Sequence, residues 1–197
     1  MIATLADKGR RLKHRILILS ADHDFEQLVT KNVKILFPKM GKIQEYIKDE
    51  TFLEKKFQGL SKNQILEFMI LNGGKHDDNT PSIEGLGPKT IINLLKANRS
   101  IKEMLANDKL YIFNKKGKKV EASKKLYQKI KSVKAQETIN LNYELIKLKK
   151  DLPVDYNHKE KSINWKSIEE IFSKLEFKSF IKGILDFKRT FDVNFLW

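Results

Sequence analysis

At 197 residues, with 41% hydrophobic and 32% charged side chains, the chain has apolar material for a folded core and too much of it for a disordered segment. The absence of cysteine excludes disulfides and thiolate zinc sites, and the four histidines, His14, His23, His76 and His158, show no ligand spacing. Thirty-nine Lys and Arg against 25 Asp and Glu give a net charge of +14 and a pI of about 9.7, a field that attracts polyanions, nucleic acid first among them. The longest apolar runs, Ile16–Leu19 and Phe68–Leu71, fall far short of the roughly 20 residues of a spanning helix. The N-terminal stretch lacks the ordered charge, apolar run and cleavage site of a signal peptide, so a cytoplasmic protein without a membrane partner is expected.

In chain order, residues 15–20 (RILILS) form a short apolar run that reads as a buried strand of a parallel sheet, with Asp22 and Asp24 just beyond its carboxyl end. Open α/β sheets place ligand sites at that edge. Residues 24–31 read as one or two helical turns, residues 32–37 as a second strand, and residues 42–47 (KIQEYI) alternate like an edge strand. From Ser61, a good N-cap, the pattern becomes helical and stops at Gly73-Gly74. Gly85 and Gly87 then bracket a tight turn before a helix with Pro88 at its first position, and Ser100 with Glu103 suits a capping box for the next helix. Residues 115–134 hold nine lysines and one glutamate, with Leu126, Tyr127, Ile130 and Val133 at helical spacing, which predicts one amphipathic helix with a basic face. The helical pattern continues through TINLNYELIKLKK, an extended connection comes next at residues 151–157, and two short helices close the chain.

Three segments carry chemistry. Residues 16–36 (ILILSADHDFEQLVTKNVKIL) resemble the strand–acid–helix segment of 5′-nucleases, G-D-x-D followed by Q-L-V, with Asp22 and Asp24 matching the acids and Gln27, Leu28 and Val29 the rest. Residues 72–95 (NGGKHDDNTPSIEGLGPKTIINLL) resemble that family's entry to a helix–three-turn–helix DNA-binding element, with Asp78, Asn79, Pro81, Gly85, Gly87, Lys89 and Thr90 on the motif. Residues 165–183 resemble the closing helices of the 5′-nuclease domain of bacterial DNA polymerase I, and MIATLADKG resembles the helix after an E-A-D-D cluster. The chain is thus identified as a member of the flap endonuclease and 5′–3′ exonuclease family.

The resemblance implies an α/β fold: a partial, mostly parallel sheet in residues 1–60, the DNA-binding element in residues 61–110, and basic and closing helices in residues 111–197, all within one exonuclease-like domain. It implies cleavage of phosphodiesters in flap, nicked or branched DNA, or in RNA primers of RNA–DNA hybrids, during replication or repair. Phosphodiester hydrolysis with two divalent ions needs hard oxygen ligands, so Mg2+ or Mn2+ held by clustered carboxylates is expected. The metal ligands implied are Asp22, Asp24 and Asp78, with Asp77 as a further candidate. By themselves Asp22 and Asp24 are equally consistent with helix capping, and Asp78 with an Asx-turn. Gly85, Gly87, Lys89 and Thr90 would face a DNA backbone, with K+ at the glycine turn, and a β-branched residue at position 87 is expected to strain that turn. Lys115, Lys116, Lys118, Lys119, Lys124 and Lys125 would reach phosphates from the basic helix. Lys75 stands where the family has the first acid of its second motif, and the family's other acids lie N-terminal to the matched segments. A complementary N-terminal polypeptide is therefore an expected partner, covering an apolar face and an unpaired strand edge near residues 15–20. The rival expectation is a DNA-binding fragment without catalysis of its own.

Overall fold

Helix α1 (Ile2–Arg11) turns its small residues Ala3, Ala6 and Gly9 inward, while Lys8, Arg10 and Arg11 occupy the last turn, where positive charge suits the helix dipole. A computed structural model describes residues 1–37, 47–74, 80–156, 163–185 and 188. They fall into two units, Met1–Val154 and Asp155–Trp197.

In the first unit β1 (Ile16–Leu19) runs parallel to β2 (Val33–Leu36), with Ile16 opposite Val33 and Leu19 opposite Leu36. A short β3 (Ile47–Lys48) pairs antiparallel on the far side of β2, giving the order β1-β2-β3. Only the last residue of the edge strand expected at 42–47 is seen in β3, because residues 42–46 lie outside the described residues. The expectation that the first strand is buried needs correction. Ile18 is buried, but Leu19, alternating to the opposite face of the sheet, is 68% exposed, and no described strand pairs with the outer edge of β1.

Helix α2 (Glu50–Lys56), capped by the Asp49 carboxylate, was not expected from the sequence. Helix α3 (Lys62–Asn72) begins at the expected cap: Ser61 accepts from the Gln64 amide, and Gln64 answers through its own side chain, so two orphan donors are satisfied. Helices α4 (Pro88–Asn98) and α5 (Ile101–Ala106) also start where Pro88 and Ser100 indicate. The core gathers on α3 and α4, where Ile70, Leu71, Ile91, Leu94 and Leu95 are fully excluded from solvent. Deleting such a side chain to alanine typically costs about 2–5 kcal/mol.

The single basic helix expected over residues 115–134 is not formed. Tyr111–Phe113 (β4) and Lys119–Glu121 (β5) make an antiparallel hairpin, and helices α6 (Lys124–Lys131) and α7 (Val133–Ile146) come after it. The reason is local turn chemistry. Asn114 accepts from the Lys116 and Lys118 amides through its side chain, and Gly117 takes φ +72°, a left-handed conformation that suits glycine. Ser123 then caps α6, and Ser132 ends it by capping α7.

The hairpin is mounted on α4. Asn93 donates to the Phe113 carbonyl and accepts from its amide, and Asn98 does the same for Tyr111. In the second unit, α8 (Trp165–Lys174) and α9 (Lys178–Lys182) are the two closing helices expected, joined by a cluster of Phe172, Phe177 and Phe180 rings.

Candidate active site and nucleic-acid interface

Beyond β1 the chain turns at once. Ser20 Oγ accepts from the Asp22 amide at 3.1 Å, and Asp22 Oδ1 accepts from the Asp24 amide at 2.8 Å, capping a 3-10 helix, His23–Leu28. This turn presents both acids at the carboxyl end of β1, Asp22 exposed and Asp24 half-buried. The capping role considered for Asp22 is therefore real, and it occupies one carboxylate oxygen. Gln27, matched to the first motif, is buried and structural: it donates to the Ile146 carbonyl and accepts from the Leu148 amide, tying this turn to the end of α7.

Sequence reasoning missed Glu26. It is 1% exposed and bonded to three cationic or imidazole groups: Lys48 Nζ at 2.7 Å, Lys56 Nζ at 2.6 Å and His23 Nδ1 at 2.8 Å. Burial pushes the carboxyl up, but hydrogen bonds from Lys48 and Lys56, the Lys56 charge and the His23 bond outweigh it and hold the pKa below its usual value. Lys48 also lies 4.5 Å from the centre of the Phe37 ring, and Lys56 lies 5.1 Å from that of Phe57. The cluster fastens the Asp22–Asp24 turn to β3 and α2.

The turn opens into a cleft of about 970 Å3 whose walls include Asp22, Asp24, Lys56, Gly74, Thr80 and Lys89. Asp77 and Asp78 lie outside the described residues, but both flanks of their segment are at the cleft, where the Gly74 amide donates to Thr80 Oγ1 at 2.9 Å. Gly73 precedes this bond with φ +64°, and a Cβ there would come within 2.6 Å of the Pro81 carbonyl oxygen. Asn142, fully buried, holds the same corner by donating to the Ile70 and Pro81 carbonyls at 2.8 Å each.

For a divalent ion, the donor chemistry fits in part. Asp22 and Asp24 are hard oxygen donors on one turn, as Mg2+ or Mn2+ requires. Among the described residues no group of three or more His, Asp or Glu side chains is placed to hold a metal.

The second expected site lies on α4. Leu86 N donates to the Ile83 carbonyl at 3.0 Å, and Gly85, with φ +65°, sits third in this four-residue turn, where a type II geometry calls for glycine. Ile83 and Leu86 are buried, so the turn is anchored from beneath. Gly87 departs from expectation. Its φ of −84° is ordinary and a Cβ would meet open space, so a side chain there brings no backbone strain. Gly87 and Pro88 start α4, followed by exposed Lys89 and half-buried Thr90. The Lys129 ammonium of α6 stands directly over Gly85. The lysine set expected on one helix is divided: Lys115, Lys116, Lys118 and Lys119 are on the hairpin, and Lys124 and Lys125 are on the exposed first turn of α6.

Residues 60–171 match the family described as 5′-3′ exonuclease, C-terminal SAM fold. The chain belongs to the 5′-3′ exonuclease family. A 5′-3′ exonuclease of Aquifex aeolicus is 32% identical over a 191-residue alignment that covers 93% of this chain and 57% of the relative. The thermostable DNA polymerase I of Thermus thermophilus is 30% identical over 94% of this chain and 20% of its own length. The flap endonuclease Xni of Shewanella pealeana is 31% identical over 81% of this chain and 55% of that protein. The exonuclease-family chain thus spans little more than half of these relatives at most. Among solved structures, the T5 flap endonuclease in a complex with DNA and metal ions shares the fold, with a TM-score of 0.57 and 15% identity over 74% of this chain and 47% of that one. A T5 5′-exonuclease with bound zinc gives a TM-score of 0.56 over the same 74% of this chain and 47% of that one, again at 15% identity. The α/β fold with a helical region after the sheet is that of these 5′-nucleases.

Among the described residues no helix is long and apolar enough to cross a membrane.

Proposed function

We propose that the chain forms the C-terminal part of a structure-dependent 5′-3′ exonuclease or flap endonuclease, acting with the further polypeptide that accounts for its relatives' greater length. Its substrates would be flap, nicked or branched DNA, or the RNA primer of an RNA–DNA hybrid. The observation that carries this reading is the cleft: Asp22 and Asp24, both flanks of the segment bearing Asp77 and Asp78, and Lys89 at the start of α4 all face one space. Acids and the DNA-gripping element would then act on the same phosphate.

In this reading Asp22 and Asp24 hold a divalent ion, Mg2+ in the cell or Mn2+ in its place, with Asp78 and Asp77 adding ligands. When bound, the ion supplies charge neutralisation at the phosphoryl oxygens and an activated water. The Glu26 cluster keeps the acid-bearing turn in register. The Gly85 turn lets a DNA backbone approach closely, Lys89 and the free amides at the start of α4 meet a phosphate, and Lys124 and Lys125 add charge on α6. The expected division into residues 1–60, 61–110 and 111–197 is then one of labour: acids, grip on the duplex, and basic support. For the potassium expected at the glycine turn, the Lys129 ammonium over Gly85 is a competing cation. Duplex affinity in potassium against tetramethylammonium at equal ionic strength decides between them.

The test is cleavage of a 5′-flap duplex by a fusion that places the N-terminal segment of the Aquifex aeolicus relative before Met1. Magnesium-dependent cleavage is expected from the fusion, abolished by Asp22→Ala, with little or none from the 197-residue chain alone. A folded fusion that binds the duplex and leaves it intact would favour the non-catalytic reading. Brisk cleavage by the chain alone would show that it needs no further acids.

A further inference from the structure

Hairpin β4–β5 carries Lys115, Lys116, Lys118 and Lys119 within five residues at its tip, and no acidic residue stands between Lys109 and Val120. Glu121, at the base, is bonded to Lys109 at 3.1 Å, and Lys119 leans over the Tyr111 ring at 4.8 Å. No described acidic side chain pairs with Lys115, Lys116 or Lys118, and all three are exposed. Like charges this close repel one another within a Debye length, so the cluster opposes the turn that carries it. Lysines that blunt a strand edge are a common alternative, but these occupy the loop rather than an edge.

The mounting offsets that repulsion. Four hydrogen bonds from Asn93 and Asn98 fix the Tyr111 and Phe113 backbone to α4, and Asn114 with Gly117 sets the turn. The tip is therefore a rigid cationic prong carried on the same helix whose start holds Lys89. We propose that this hairpin is a separate contact for the phosphate backbone of double-stranded DNA, sequence-independent and distinct from the Gly85 turn. The proposal rests on the DNA-processing function proposed for the chain. A two-stranded ribbon fits the roughly 12 Å major groove, where lysines on either side reach phosphates. The tip sequence KKGKK offers no apolar side chain to insert into a bilayer, which disfavours a lipid surface.

The experiment compares the full chain with a K115Q/K116Q/K118Q variant, measuring affinity for a short blunt duplex across salt concentrations. Each phosphate that a lysine no longer neutralises lowers the slope of log affinity against log salt by about 0.9, so a fall of about 2–3 is expected, alike for duplexes of unrelated sequence. Thermal stability should hold, and a variant with arginine at the same three positions should keep the parental slope. If the parent binds duplex and the glutamine variant shows the same slope and affinity, the hairpin proposal fails while the DNA reading stands. A loss confined to one DNA sequence, or a loss that arginine does not restore, also overturns it. A parent chain that does not bind duplex at low salt removes both.

Discussion

Replacing Glu26 by glutamine removes the carboxylate that faces both Lys48 and Lys56, and the two lysines respond differently. The Lys56 side chain is 35% exposed and can turn toward water, whereas that of Lys48 is 6% exposed and cannot. Breaking a buried pair from one side generally costs about 3–5 kcal/mol, because the remaining charge is left without compensation. Most of that cost belongs to Lys48, so Glu26→Gln should destabilise the first unit by about 3–4 kcal/mol and Lys56→Gln by about 1 kcal/mol. In a chain of this size each kcal/mol moves Tm by about 2–4 °C, which gives a fall of about 6–16 °C for Glu26→Gln. Adding Lys48→Met removes the stranded charge and keeps an unbranched side chain beside Phe37, so the double variant should recover more than half of the loss. Urea unfolding followed by circular dichroism measures all four proteins. A Glu26→Gln change under about 0.5 kcal/mol, or a double variant no better than the single, would refute the assignment of the cost to a desolvated lysine.

Other expectations concern single positions. Gly73→Ala should cost about 1–3 kcal/mol, because its left-handed backbone and the Pro81 carbonyl both oppose a methyl group. Gly87→Ala should shift stability by less than about 0.5 kcal/mol, so any fall in duplex affinity there reports DNA approach rather than folding. Thermal melts alongside duplex titrations separate the two effects. Glu67 is half-buried on α3, with one carboxylate oxygen lacking a partner among the described residues, and burial raises its pKa despite a bond from the Ile101 amide. A carboxyl held more tightly protonated in the folded chain loses stability as pH rises from its ordinary value of about 4.5 through the folded pKa. Glu67→Gln should therefore be more stable than the parent at pH 7 and equal to it at pH 4; a parent more stable at pH 7 would reverse the sign.

Much of the helical framework was legible because caps are local. Ser61, Pro88 and Ser100 each mark the start of a helix through bonds made within a few residues. Asp22 and Asp24 were legible for the same reason, as two acids just past an apolar strand. The basic hairpin was misread because the helical period of Leu126, Tyr127, Ile130 and Val133 belongs to α6 and α7 alone. The Asn114–Gly117 turn was written in the sequence but outweighed by the run of lysines. Glu26 could not be found in this way. Its partners Lys48 and Lys56 lie 22 and 30 residues further on, and nothing about a glutamate between a phenylalanine and a glutamine signals burial. The exposure of Leu19 was legible only through the resemblance, which leaves an apolar face and an unpaired strand edge near residues 15–20.

The Asn93 and Asn98 clamps bear on how copies of this chain meet one another. On either side of β4, Leu110 and Asn114 bond across the hairpin, so Tyr111 and Phe113 direct their amides and carbonyls outward. A strand with such groups free is a template on which another chain can grow a sheet. Here both residues are already bonded, on amide and carbonyl alike, by side chains of α4. The hairpin thus behaves toward its neighbours as if a third strand were already in place, and sheet-wise association of concentrated protein has no foothold on that side. Loss of both asparagines would expose this template beside two aromatic side chains, and clumping of the double alanine variant should rise with concentration before its helices melt.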